Sequence, residues 1–281
     1  MIRTAFIAAA LVLATLIGIP LQWLSIKLGL PTRRLIPMYY HRLCLKLFGV
    51  RVEVRGSPTK DRPLLFVANH SSWLDHLILS GTTPVVFIAK KEIASWPVFG
   101  LLAKLQRSVF VDRERRHKTG AVTQEISTRL TNGDPVVLYG EGTTGDGNRV
   151  LPFRSALLGA MGMTVGPGEN GYLQPVSIAY TRLQGLPMGR QHRPVAAWFG
   201  NTNIIKHIGR VLRMGGIDAV VTFGTAMVVT PEMDRKSVAK SLEQSVRRMT
   251  TAARLARPEI AISHNALEIS PGAVSLPADS R

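Results

Sequence analysis

Asn69-His70-Ser71-Ser72-Trp73-Leu74-Asp75 places a histidine and a carboxylate five residues apart, directly after the apolar run Leu64-Leu65-Phe66-Val67-Ala68. An imidazole titrates near neutrality and can take a proton from a hydroxyl, while a carboxylate on its other ring nitrogen fixes the tautomer and stabilises the imidazolium that forms. On a continuous helix, residues five apart are separated by about 140° around the axis. His70 therefore meets Asp75 only if it precedes the first helical turn. Ser72 followed three residues later by Asp75 fits a capping box, which puts Ser72 at the N-cap and His70 outside the helix. A second reading of the same string has Asp75 capping the helix and nothing more, with His70 an ordinary loop residue.

The positioning elements follow from the apolar pattern. Short apolar runs at Val50 to Val54, Leu64 to Val67, Val85 to Ile88, Val109 to Val111, Val136 to Tyr139, Leu173 to Ala179, Ala196 to Phe199 and Ala219 to Phe223 alternate with helical stretches. That rhythm predicts an α/β fold, a central mixed sheet flanked by helices. His117 to Leu130 reads as a helix stopped before Asn132-Gly133, and Asp234 to Arg257 as another ended by Pro258. In the latter, Val238, Leu242, Val246 and Met249 form a core-packing stripe, while Arg247, Arg248 and Arg254 read as a solvated face or a lipid contact.

Glu141 and Gly142 follow the strand Val136 to Tyr139, a position from which side chains reach the mouth of an α/β sheet. The segment Gly145-Asp146-Gly147-Asn148-Arg149 after them reads as a wall of the substrate pocket or as a plain turn. It lacks the lysine and spacing of a P-loop and the distal glutamate of a calcium loop, so no metal site is expected.

At the N-terminus, Ala5 to Leu24 carries no charge and would extend roughly 30 Å as a helix, about one bilayer core. Pro20 interrupts it, which fits a helix, a break and an interfacial helix as well as one full span. A cleaved signal peptide is disfavoured because Thr15 to Ile19 offers no clear small-residue cleavage site. Lys27, Arg33, Arg34 and Arg42 follow the apolar segment and only Arg3 precedes it, so the positive-inside bias places the main domain in the cytoplasm, at the inner membrane. We expect an anchor over residues 1–36, one catalytic domain over 37–258 and a flexible tail over 259–281.

Lys and Arg number 35 against 18 Asp and Glu, a formal charge of +17. Such a surface attracts polyanions, either anionic lipid or nucleic acid. The apolar N-terminus favours lipid. No zinc-finger cysteines, RNP-type aromatic motif or evident helix-turn-helix supports a nucleic-acid partner. The single cysteine, Cys44, excludes an intramolecular disulfide.

Four ordered blocks between Asn69 and Tyr180 resemble the glycerolipid acyltransferases, the 1-acylglycerol-3-phosphate acyltransferase family. Asn69 to Asp75 resembles the N-H-x-S-x-x-D signature; Ser108-Val109-Phe110-Val111-Asp112-Arg113 is similar to G-x-x-F-I-D-R; Leu138-Tyr139-Gly140-Glu141-Gly142-Thr143-Thr144 is similar to F-P-E-G-T-R; Gln174-Pro175-Val176-Ser177-Ile178 resembles V-P-V-x-I. The resemblance implies that His70 removes the proton from an acceptor hydroxyl as it attacks an acyl thioester, and that Asp75 holds the ring. It implies head-group contact by Arg113, for which a surface cation in the run Arg115, Arg116, Lys118 is the alternative reading. Glu141, Gly142, Thr143, Thr144 and Arg149 are the other expected acceptor-binding residues. Direct transfer needs no acyl-enzyme, since Cys44 lies outside every block and no G-x-S-x-G elbow occurs.

Thr144 stands where the phosphatidic-acid-forming members carry arginine, and Gly140 where they carry proline. Arg149 or Arg154 is a candidate substitute cation. The string from Glu141 to Ser155 resembles a bacterial branch that includes the lyso-ornithine lipid O-acyltransferases, so lysophosphatidic acid and lyso-ornithine lipid are both candidate acceptors. The expected donor is acyl-CoA or acyl-ACP, with Lys90 and Lys91 candidates for the coenzyme's phosphates or for acyl carrier protein. No cofactor is expected. The alternative is a non-catalytic membrane-tethered protein that binds lipid or nucleic acid.

Overall fold

The computed structural model describes residues 2–112, 119–166 and 169–256. Nine helices occur among them: α1 (Ile2–Lys27), α2 (Thr32–Phe48), α3 (Leu74–Thr82), α4 (Phe99–Leu105), α5 (Thr119–Thr131), α6 (Gly159–Thr164), α7 (Arg193–Ala196), α8 (Ile204–Met214) and α9 (Arg235–Arg254). Nine strands accompany them: β1 (Val50–Arg55), β2 (Leu64–Ala68), β3 (Val86–Lys90), β4 (Val109–Val111), β5 (Val136–Tyr139), β6 (Gly171–Leu183), β7 (Leu186–Pro187), β8 (Ile217–Phe223) and β9 (Met227–Val229).

The strands join in the order β1-β8-β6-β2-β5-β3-β4, with β7 and β9 on β6. The pairs β6/β2, β2/β5, β5/β3 and β3/β4 are parallel, β1 is parallel to β8, and β8 is antiparallel to β6. The sheet is thus mixed, as expected.

Every residue of β2 is buried because both sheet faces are covered. Side chains alternate across a strand. Leu64, Phe66 and Ala68 accordingly pack with Leu45 and Phe48 of α2 and Leu74 and Ile78 of α3. Leu65 and Val67 pack on the opposite side with Ile126 of α5, Met161 of α6 and Leu242 of α9. The stripe predicted on α9 is its buried face, and the helix starts at Asp234, whose carboxylate accepts from the N–H groups of Lys236 and Ser237.

One sequence expectation is corrected, and one alternative left open is decided. Ala196 to Phe199 is not a strand: Pro194 opens the short helix α7, and the chain then crosses the sheet's carboxyl end, where Trp198 N–H donates to Ser71 O at 2.7 Å. Pro20 does not break the N-terminal helix, which runs unbroken to Lys27. The expected division at residue 36 falls inside α2, which packs along α3 and into the core. Arg113 and the tail 259–281 lie outside the described residues.

By length and composition, Arg3–Lys27 is able to cross a membrane. Here it lies along the domain with its few polar groups turned inward. Thr15 Oγ1 is 2.7 Å from the Tyr40 hydroxyl, Gln22 Nε2 donates to the carbonyls of Arg33 and Leu105, and Ser25 meets Thr32. Phe6, Leu13, Leu16, Ile17, Leu21 and Trp23 face outward, each more than half exposed. Ile7 and Leu11 also turn inward, so the helix is apolar on both its packed and its outward faces.

Candidate active site

His70 sits in the loop between the end of β2 and the start of α3, outside the helix as the spacing requires. Its Nδ1 is 2.9 Å from Asp75 Oδ2. The cap is displaced by one residue from the expected box: Trp73 occupies the position before Leu74, and Asp75 reaches back to accept from Ser71 N–H at 2.7 Å and Ser72 N–H at 2.9 Å. The capping and catalytic readings of Asp75 are therefore compatible. One carboxylate ties the helix entry and orients the imidazole.

Asp75 is fully buried, so its charge must be matched by donors. Oδ2 takes the three already named, and Oδ1 accepts from the Tyr180 hydroxyl at 2.6 Å. Burial and the carboxylate beside it push the Tyr180 phenol well above its ordinary value, so it stays a donor. With Asp75 on Nδ1, Nε2 is the nitrogen left for a substrate proton. The imidazole stacks on Tyr139 at 3.9 Å between centroids and 13° between planes. His76 meets its edge at 5.3 Å, and burial holds that second imidazole well below its usual range, hence neutral.

The third block supplies a brace. Glu141, at the end of β5 beside β2, is buried; its Oε1 accepts from His70 N–H at 2.8 Å and its Oε2 from Leu151 N–H at 3.0 Å. Gly145 N–H donates to the His70 carbonyl at 3.0 Å. The loop Gly145 to Arg149 is thus bound to the backbone of His70. Arg254 and Arg193 hold its outer side through Asn148.

One glycine accounts for a departure noted in the sequence, and a second is required by its backbone. A Cβ on Gly140 would lie 2.6 Å from the Phe153 ring, so this chain has no room there for the proline that the family motif carries. Gly142 has φ +67°, and the Arg154 stem lies across it. Thr143 and Arg149 are exposed at this mouth and Thr144 is half-buried. Arg154, rather than Arg149, reaches a cavity of about 470 Å³ walled by Ile88, Val111, Leu138 and Leu157, with Asp112, Tyr139 and Gly142 at its edge. Lys91 is tied to Asp112 at 3.6 Å.

The residues that spacing did not reveal are Asn69 and Tyr180. The Asn69 amide pairs with both backbone groups of Ile178, at 2.9 and 2.8 Å, and Tyr180 lies two residues further on. The fourth block was visible as a strand, but its service to the first depends on β6 outrunning β2. We predict that Tyr180→Phe, which strips one donor from a buried carboxylate, lowers kcat by about ten-fold and stability by roughly 1–3 kcal/mol. Steady-state kinetics and thermal unfolding would test this, and unchanged values in both would remove Tyr180 from the orienting set.

Residues 51–179 match the family model described as Acyltransferase. The chain is 46% identical over 259 residues to the lyso-ornithine lipid O-acyltransferase of Brucella abortus, covering 91% of this chain and 97% of the relative. It is 41% identical over 282 residues to the lyso-ornithine lipid O-acyltransferase of Rhizobium meliloti, covering 100% and 97%. The 1-acyl-sn-glycerol-3-phosphate acyltransferase of Neisseria gonorrhoeae is 36% identical over 115 residues, 40% of this chain and 45% of the relative. The crystal structure of the 1-acyl-sn-glycerophosphate (LPA) acyltransferase PlsC from Thermotoga maritima shares the fold, with a TM-score of 0.63 at 22% identity over 92% of this chain and 95% of that one. A histidine and an aspartate joined at the mouth of this sheet, in a chain aligned end to end with such relatives, belong to a member of the acyltransferase family, and this chain is an O-acyltransferase.

Proposed function

We propose that the protein transfers a fatty acyl group from an acyl thioester to the free hydroxyl of lyso-ornithine lipid, with His70 as general base and Asp75 as its orienting partner. The observation that carries this reading is the His70–Asp75 contact at 2.9 Å, with the carboxylate buried and fully donated to. His70 Nε2 takes the hydroxyl proton as the oxygen attacks the thioester carbonyl carbon. The tetrahedral intermediate collapses with loss of the thiolate, which the imidazolium protonates. An ester and a free thiol result, and no cofactor enters the balance. Acyl-CoA and acyl-ACP present the same thioester to this chemistry. The apolar walls of the 470 Å³ cavity suit an acyl chain.

Membrane association is supported by the outward apolar face of α1. Contacts along its length, from Thr15 to Ser25, favour a helix lying in the interface with the domain. The thioester donors and the cations following α1 favour the cytoplasmic face of the inner membrane.

Lyso-ornithine lipid is favoured as acceptor by the end-to-end similarity to relatives of that name and by Thr144, which offers no cation. Arg154 at the cavity wall favours a second reading, in which it replaces that cation for lysophosphatidic acid. Each acceptor is to be offered separately with a labelled acyl thioester. We expect product with lyso-ornithine lipid, and we expect Thr144→Arg to raise kcat/KM for lysophosphatidic acid by about ten-fold through one charge-assisted contact. Preference of the unaltered protein for lysophosphatidic acid would sink the first reading and leave the second.

A further inference from the structure

A groove of about 680 Å³ runs between α2 and the edge strand β1, away from the His70 loop. Its floor is Leu45, Val50, Val52 and Val54, and its sides carry Arg42, Lys46 and Arg51. Arg42 and Lys46 are four residues apart on α2, hence on one face. Arg42 is pinned by its Nε to the Gly81 carbonyl at 2.6 Å, and Arg51 pairs with Asp218 at 2.7 Å. No carboxylate lines the groove. At its upper end Gly49 and Gly216 keep the wall low, and the Arg3 guanidinium lies within 3.4 Å of a Cβ built on Gly49. The groove therefore joins an apolar floor to a cationic rim.

Its position decides what such a surface takes. Leu35, Tyr39 and Leu43 form an exposed stripe on α2 at four-residue spacing, 38%, 59% and 39% exposed. The helix that carries this stripe packs against α1, whose outward face is also apolar, and Arg42 and Lys46 follow Tyr39 and Leu43 by three residues each. The cations thus stand beside a lipid-seeking face, at the level where head groups lie. An acidic protein would meet the same charges but would leave the 47% exposed Val54 without an apolar partner.

We propose that this groove binds an anionic membrane lipid, its head-group phosphate against Arg42 and Lys46 and its chain along Leu45, Val52 and Val54. The site is separate from the acceptor pocket and orients the domain on the bilayer. It rests on the membrane placement above, and not on the identity of the acceptor.

The test is sedimentation of the full chain with phosphatidylcholine vesicles, with and without about one-fifth phosphatidylglycerol. Lys46→Glu and Val54→Glu leave the Arg42–Gly81 link intact, and Lys240→Glu on α9 makes the same charge reversal on the opposite sheet face. We expect the anionic lipid to strengthen binding. We expect each groove variant to weaken it roughly five-fold or more while Lys240→Glu has less effect, with activity in detergent micelles retained. Equal losses for all three variants would mean general surface attraction and overturn the site. Displacement by inorganic phosphate at matched ionic strength, to the level of plain phosphatidylcholine, would mean a free-anion site. Unchanged vesicle binding with weakened binding of acyl carrier protein would assign the groove to the carrier. If the unaltered chain ignores vesicles of both compositions, the membrane placement fails first.

Discussion

His70→Ala is expected to lower kcat by about a hundred- to ten-thousand-fold, with the fold intact. The acceptor hydroxyl is a poor nucleophile while it holds its proton, and in the proposed mechanism His70 Nε2 is the base, since Nδ1 is engaged by Asp75. The ring is set from three directions: Asp75 at Nδ1, Tyr139 on one face and His76 at the edge. The side chain is largely buried at 12% exposure, so its loss gives up the stack on Tyr139, but it lies in a loop and no backbone contact goes with it. Asp75 keeps the N–H groups of Ser71 and Ser72 and the Tyr180 hydroxyl as donors, so the helix entry should survive. Circular dichroism and the thermal midpoint should therefore change little while turnover collapses. The experiment compares kcat for the preferred acceptor with that of the unaltered protein. Retention of even a tenth of the activity would show that proton removal is not carried by His70.

Much of this arrangement was legible in the chain because it is local. The His70-to-Asp75 spacing, the apolar strand ahead of it and the acid at Asp75 together required a residue outside a helix reaching one inside it. The runs at Leu64, Val136 and Ala219 became strands because β-branched and large apolar side chains buried on both sheet faces leave few other solutions, and the run at Val50 alternates valine with charged residues as an edge strand does. What escaped is set by distant chain. Trp198 sits where alternation suggested a strand, but the segment serves to hold the Ser71 carbonyl. Pro20 left a break and one full span both open; α1 continues through it while packed along α2 and α4, and contacts of that kind outweigh local helix preference. Gly140 stood out in the sequence only as a departure from the family's proline; its reason is the Phe153 ring, thirteen residues on, packed where a Cβ would lie.

Glu141 is where sequence and structure assign different work, and Glu141→Gln separates them. The sequence placed it among acceptor-binding residues; its two oxygens face the backbone N–H groups of His70 and Leu151. Glutamine has nearly the same shape but one acceptor oxygen, so its amide nitrogen must confront one of those two donors. A brace would lose hold of the His70 backbone, and a displacement of that kind costs up to about a hundred-fold in kcat with little change in acceptor KM. A substrate contact would instead raise KM.

Stability supplies a second readout with a defined sign. Burial, opposed by the two backbone donors, raises the Glu141 carboxyl from 4.5 to about 7. The folded protein thus holds this proton more tightly than the unfolded chain does. Its contribution is complete below about pH 4.5, falls as pH rises and is gone above about 7. The difference amounts to about 3 kcal/mol. Glutamine does not titrate, so Glu141→Gln should lack this part of the decline between pH 5 and 7, while starting lower at acid pH by the roughly 1–3 kcal/mol of one unsatisfied donor. Denaturant unfolding at a series of pH values distinguishes the two curves. Parallel curves would mean that Glu141 is ionised throughout that range and that the two N–H donors outweigh its burial; a KM effect without a kcat effect would return the residue to the acceptor.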